Sequence, residues 1–244
     1  LRARALLSPA TTPPASPTAA DTLGADFLEF DVHLSKDDQV VVIHDPTLER
    51  TTNGRGAVRG LTLAELRALG LGDCAGPITD EPVPSLDEVV ALAMRTHRQM
   101  LLEIKVDERE RRYPGIEERV FEVLDRHGAV AATVVMSFER DTWKRVRALR
   151  PEARACALYS RRTIGDLGST LRVEMEQAHR AGVTMLGLHQ NLVDAAAVNL
   201  VHQAGMTLGV WTVNEAAEIR GFIRLGVDLV ITDRPDLAKT ALGR

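Results

Sequence analysis

From Phe27 to the end of the chain, short β-branched apolar runs alternate with longer helical patterns, and this alternation constrains the fold more than any other feature. The runs cover residues 27–32, 40–43, 100–106, 132–136, 153–158, 184–188, 206–211 and 229–231. Between them, residues 85–97, 116–127, 140–149, 193–204, 215–225 and 235–242 carry helical spacing. Such alternation builds βα units around a parallel sheet. The number and regularity of the units predict a (β/α)8 barrel, and no GxGxxG follows a first strand to favour a doubly wound sheet.

The length of 244 residues suits one barrel domain spanning 1–244. One stretch breaks the rhythm: residues 45–84 contain Gly54, Gly56, Gly60, Gly70, Gly72 and Gly76 around a short helix at 63–69. This is too long for an ordinary connection and reads as a small insertion after the second strand region. Thirty basic against 34 acidic residues leave a net charge of −4, which gives no electrostatic footprint for nucleic acid. A small-molecule partner is the expectation. No apolar run reaches the ~18 residues of a membrane span, so a cytoplasmic location is expected. Cys74 and Cys156 form no CxxC and read as buried thiols of a reducing compartment.

On a strand, Glu29 and Asp31 share a face, alternating with Leu28, Phe30 and Val32. An amphipathic strand with a wet face has the same pattern, but in a parallel barrel both faces are covered. Two buried carboxylates side by side then call for a cation or a shared proton. Glu103 and Lys105 repeat the device at the end of an apolar run, where a surface ion pair is the plainer alternative. Glu29, Asp31 and Glu103 at strand ends make an oxygen site suited to Mg²⁺ or Ca²⁺, with Lys105 as a point charge for phosphate. Lysine is scarce in this chain, with only Lys36, Lys105, Lys144 and Lys239.

His44 ends the run Val40-Val41-Val42-Ile43, and an ordinary pKa near ~6.5 suits it to proton transfer. His33 and His189 are weaker candidates of the same kind. His97, His127, His179 and His202 sit in helices or at helix ends and are expected to be solvated. Trp211 either walls a pocket at the barrel mouth or fills the core. Near the C-terminus, Arg234 is positioned to bind an anion, while Asp233 reads as a helix cap.

The segments GADFLEFDVHLSKDDQVVVIHDPTLERTTNGRG, LLEIK, MSF, VWTVN and GVDLVITDRPD, in this order, resemble the glycerophosphodiester phosphodiesterase family over residues 22–240. The resemblance implies a TIM-type barrel with a small insertion after the second strand region. It also implies metal-dependent hydrolysis of glycerophosphodiesters to glycerol 3-phosphate and an alcohol, a step of glycerophospholipid metabolism. Glu29, Asp31 and Glu103 match the family's ligands for a divalent cation, His44 one of its two catalytic histidines, Lys105 its phosphate-side lysine and Trp211 a pocket aromatic. Attack by water and attack by the substrate's own hydroxyl both fit these residues.

The resemblance breaks at the start. The family's His-Arg-Gly and Pro-Glu-Asn-Thr motifs fall on Leu1-Arg2-Ala3 and Pro9-Ala10-Thr11-Thr12. Arg2 keeps the position of the substrate-binding arginine, whereas Leu1 stands where the first catalytic histidine belongs. Pro13, Pro14 and Pro17 oppose a first helix, because an interior proline costs about 3 kcal/mol. The first βα unit is therefore expected to be incomplete. A degenerate unit, a truncated one and a local change of reading frame each account for residues 1–20. The alternative function is a catalytically impaired relative that binds phosphate esters.

Overall fold

A computed structural model describes residues 25–72 and 79–243 of the chain. Its strands are β1 (Phe27–Leu34), β2 (Val40–Val42), β3 (Gln99–Ile104), β4 (Thr133–Ser137), β5 (Arg154–Tyr159), β6 (Met185–His189), β7 (Thr207–Trp211) and β8 (Leu229–Val230). Its helices are α1 (Leu63–Arg67), α2 (Leu86–Arg95), α3 (Ile116–Arg126), α4 (Arg140–Leu149) and α5 (Arg161–Asp166). They continue as α6 (Leu171–Arg180), α7 (Ala195–Gln203), α8 (Ala216–Leu225) and α9 (Pro235–Ala241). One curled sheet runs in the order β2-β1-β3-β4-β5-β6-β7-β8, with helices packed outside it, which is the TIM-type α/β architecture.

The run at residues 40–43 was expected to be a barrel strand, and the structure corrects this. β2 lies antiparallel on β1, with Val32 opposite Val42 and Leu34 opposite Val40. The reason is the connection: only residues 35–39 separate the two strands, closed by Ser35 N–H donating to Gln39 O at 2.9 Å. A parallel return needs a crossover of about a dozen residues or more. The parallel set among the described residues is therefore β1 and β3 through β8.

Residue parity divides the core. Phe27, Leu101, Val134, Met136, Cys156, Leu158, Leu229 and Ile231 pack together as the inner layer. Their strand neighbours, such as Phe30, Leu102, Val135, Ala157 and Val230, belong to the larger layer between sheet and helices. Val41 and Ile43 turn from β2 into a third cluster with Leu48, Val58, Leu66 and Val83, which is the hydrophobic centre of the insertion. Gly187 of β6 makes room for the inner packing, since a Cβ there would stand 2.4 Å from Leu158 Cδ2 and that side chain would have to shift.

α5 and α6 fill a stretch that carried no legible helical pattern. α5 buries no residue, and the buried face of α6 consists of Glu174, Met175 and Ala178. The carboxylate of Glu174 is fully buried against Arg140, 2.5 Å from Nη2, so a charge occupies a core position and masks the apolar period. Three local expectations are also corrected. Asp233 does not cap α9; it accepts from Asn214 Nδ2 at 2.9 Å, and Arg234 pairs with Asp236 at 2.6 Å rather than standing open to an anion. His127 is half-buried against Asp87 at 3.1 Å, whereas His202 is exposed as expected and pairs there with Asp228 at 2.9 Å. The incomplete first unit expected at residues 1–20, including Arg2, lies outside the described residues, as does Cys74. No helix among the described residues is long and apolar enough to cross a membrane.

Candidate active site

At the C-terminal ends of β1 and β3 a cavity of about 130 Å³ opens, lined by Glu29, Asp31, His44, Glu103, Lys105 and Trp211, with Met136, Phe138, Leu158, Thr212 and Ile231. Ligand sites of parallel α/β folds lie at this end of the strands because the connecting loops can vary there without disturbing the sheet. Strand parity carries Glu29 and Asp31 to the interior from β1, and Glu103 from β3. The parallel register then sets Asp31 directly opposite Glu103. All three carboxylates are buried, and one oxygen from each lies within 4.8 Å of the others.

Lys105 follows β3 by one residue, and its Nζ lies 2.7 Å from Glu103 Oε1 and 3.0 Å from Asp31 Oδ1. Burial pushes the Glu103 carboxyl well above the usual carboxylate range, and the Asp31 charge adds to this while Lys105 opposes it. Burial by itself would lower Lys105, but Glu103 and Asp31 together outweigh it and hold the ammonium above its ordinary value.

The donor set fits a hard divalent cation. With all three carboxylates ionised, the form in which they would ligate a cation, they and one ammonium would leave two negative charges, and oxygen-only ligands suit Mg²⁺ or Ca²⁺.

His44 comes from the turn after β2, and its backbone is fixed from the interior. His33 is fully buried, and its Nε2–H donates to the His44 carbonyl at 3.1 Å. Because that carbonyl can only accept, His33 Nδ1 is left to accept from the Tyr113 hydroxyl at 2.9 Å. Burial lowers the His33 pKa to about 4, so it is neutral at physiological pH. His33 therefore braces His44 and does not reach the cavity.

The side chain of His44 meets partners that inspection of single residues did not single out. Its Nδ1 lies 2.5 Å from Asp45 Oδ1, and Arg50 grips the same carboxylate through Nε to Oδ2 and through Nη2 to Oδ1 at 2.8 Å. The hydrogen bond from Arg50 holds Asp45 down at about 2, with His44 assisting against burial. The available signal was the run HDPTLER itself, in which an acid and an arginine follow the histidine closely. On the far wall, Trp211 meets Phe138 and His189 edge to face, at 5.5 and 5.0 Å between ring centroids. His189 thus backs Trp211. Trp211 lines the cavity and also packs against the inner core layer, so both of its sequence readings apply. Phe138, from the MSF run, is a further wall residue.

The model of the glycerophosphoryl diester phosphodiesterase family matches residues 15–237. A glycerophosphodiester phosphodiesterase of Caldanaerobacter subterraneus subsp. tengcongensis is 32% identical over 215 residues, covering 88% of this chain and 84% of the relative. One of Bacillus subtilis is 29% identical over 234 residues, covering 89% of this chain and 77% of the relative. Among solved structures, an Oleispira antarctica phosphodiesterase in complex with the product sn-glycerol-3-phosphate superposes with a TM-score of 0.85 at 26% identity. It covers 99% of this chain and 97% of its own.

Proposed function

Because this chain belongs to the glycerophosphoryl diester phosphodiesterase family, we propose that it hydrolyses glycerophosphodiesters to glycerol 3-phosphate and an alcohol with the help of a divalent cation, Mg²⁺ or Ca²⁺. The observation that carries this reading is the convergence of Glu29, Asp31, His44, Glu103, Lys105 and Trp211, distant in sequence, on one cavity.

In this reading Glu29, Asp31 and Glu103 hold the cation, which when bound polarises the phosphoryl oxygens. The Lys105 ammonium stands beside that charge and offsets the negative charge that develops on the phosphoryl group. Hydrolysis breaks the P–O bond to the alcohol, whose oxygen must gain a proton. The attacking hydroxyl must lose one; where it belongs to water, glycerol 3-phosphate forms directly, and where it belongs to the substrate's glycerol, a cyclic phosphate forms that water then opens to glycerol 3-phosphate. His44 carries such a proton through the ring nitrogen that Asp45 leaves open. Trp211 and Phe138 supply an apolar wall for the carbon skeleton of the ester.

Release of glycerol 3-phosphate from glycerophosphocholine, measured with Mg²⁺, with Ca²⁺ and with chelator, tests the proposal. Metal-dependent release that His44→Ala abolishes supports it. A folded, metal-binding chain that releases no product supports instead a phosphate-ester-binding relative.

A further inference from the structure

We propose that Arg50 is a positioning residue for His44, acting through the carboxylate of Asp45; this rests on the reading of His44 as the proton-transfer group.

The geometry is a chain of three side chains. Arg50 presents Nε to one oxygen of Asp45 and Nη2 to the other, a two-pronged grip that removes the rotational freedom of the carboxylate. The gripped Oδ1 faces His44 Nδ1 at 2.5 Å. An ionised carboxylate can only accept, so the proton on that 2.5 Å line belongs to Nδ1; the Arg50 Nη2 approach to the same nitrogen, which would need a lone pair there, is longer at 3.3 Å. The imidazole then keeps its lone pair on Nε2, the nitrogen left for the substrate side. The grip of Arg50 holds the Asp45 carboxylate in the orientation that faces Nδ1, and a carboxylate free to turn away would let the imidazole proton move to Nε2, the reverse of the tautomer that accepts a proton from an attacking hydroxyl.

The scaffold holds Arg50 for this task. On one side Leu48 is fully buried in the core of the insertion. On the other, Thr52 folds back onto the Leu48 carbonyl through its N–H at 3.0 Å and its hydroxyl at 2.7 Å. Arg50 is thus carried on a closed loop, and the His44 backbone is tied down independently by His33. The insertion thus supplies the second support of His44.

Two readouts test the role on the full chain. The first is ¹⁵N NMR of the histidine ring nitrogens at about pH 8, above the ordinary histidine pKa, with the His44 signals identified by their loss in His44→Ala. In the unmodified chain His44 is expected as the Nδ1–H tautomer, and Arg50→Ala is expected to give a mixture with Nε2–H. The second is steady-state hydrolysis of glycerophosphocholine with Mg²⁺. There Arg50→Ala is expected to lower kcat about 10- to 100-fold with KM changed less than about threefold, as misplacement of a reacting group does. Arg50→Lys, which keeps the charge without the fork, is expected to fall between. An unchanged tautomer in Arg50→Ala overturns the proposal, as does a raised KM at unchanged kcat, which would put Arg50 on the substrate. If Arg50→Ala does not fold, Arg50→Lys decides by the same criteria. If His44→Ala turns over at the normal rate, the proton-transfer reading fails while the tautomer measurement still judges Arg50.

Discussion

Asp31 and Glu103 stand directly opposite each other in the parallel β1–β3 register, and the Lys105 ammonium reaches both carboxylates. Two acids from strands that start 72 residues apart, at Phe27 and Gln99, are held at one spot by backbone pairing and bridged by a single cation. The charge left over by that arrangement is what a divalent ion would neutralise.

The first prediction concerns that ion. Glu29→Ala and Glu103→Ala are each expected to weaken Mg²⁺ or Ca²⁺ binding by more than about 100-fold, because even outer partners of metal ligands cost 10- to 100-fold. Calorimetric titration checks this, with circular dichroism as the control for folding. Unchanged affinity in both variants would refute the ligand assignment.

His44→Ala is expected to lower kcat by about 10² to 10⁴, the usual contribution of a positioned acid or base, with little change in KM. Metal affinity should be retained, since the carboxylates are untouched. Paired kinetics and metal titration separate this from a general loss of structure.

Asp45 gives the pH prediction. Its folded pKa, about 2, lies below the unfolded value near ~3.9, so the unfolded chain binds more protons in the interval between them. The stabilisation is complete above the unfolded value and is lost as the pH falls through about 4 towards about 2. Urea unfolding across that interval is expected to show this loss, and Asp45→Asn is expected to flatten it. An Asp45→Asn curve parallel to that of the unmodified chain would count against the Arg50 grip.

Arg140→Ala tests the ion pair under α6. It leaves the fully buried Glu174 without its arginine, and removing one partner of a buried pair costs about 3–5 kcal/mol. Glu174→Gln, which removes the charge instead of stranding it, is expected to cost less. Equal losses for the two variants in denaturant titrations would show that the charge is not what matters there.

Much of this protein is written in local periodicity. A strand has period two, so Glu29 with Asp31, and Glu103 with Lys105, share faces whatever surrounds them, and the apolar runs between helical stretches announce a parallel sheet. That is why the fold class and the shared face of the acids and Lys105 were legible residue by residue.

Tertiary structure decided what depends on contacts between distant segments. The register that sets Asp31 against Glu103, the hairpin that turns β2 back along β1, and the burial of Glu174 under α6 all depend on partners far along the chain. So do the bracing of His44 by His33 and Tyr113 and the placement of Trp211 in the cavity wall. A side chain's own neighbours fix which way it points, whereas what it meets there is fixed by the packing of the whole sheet.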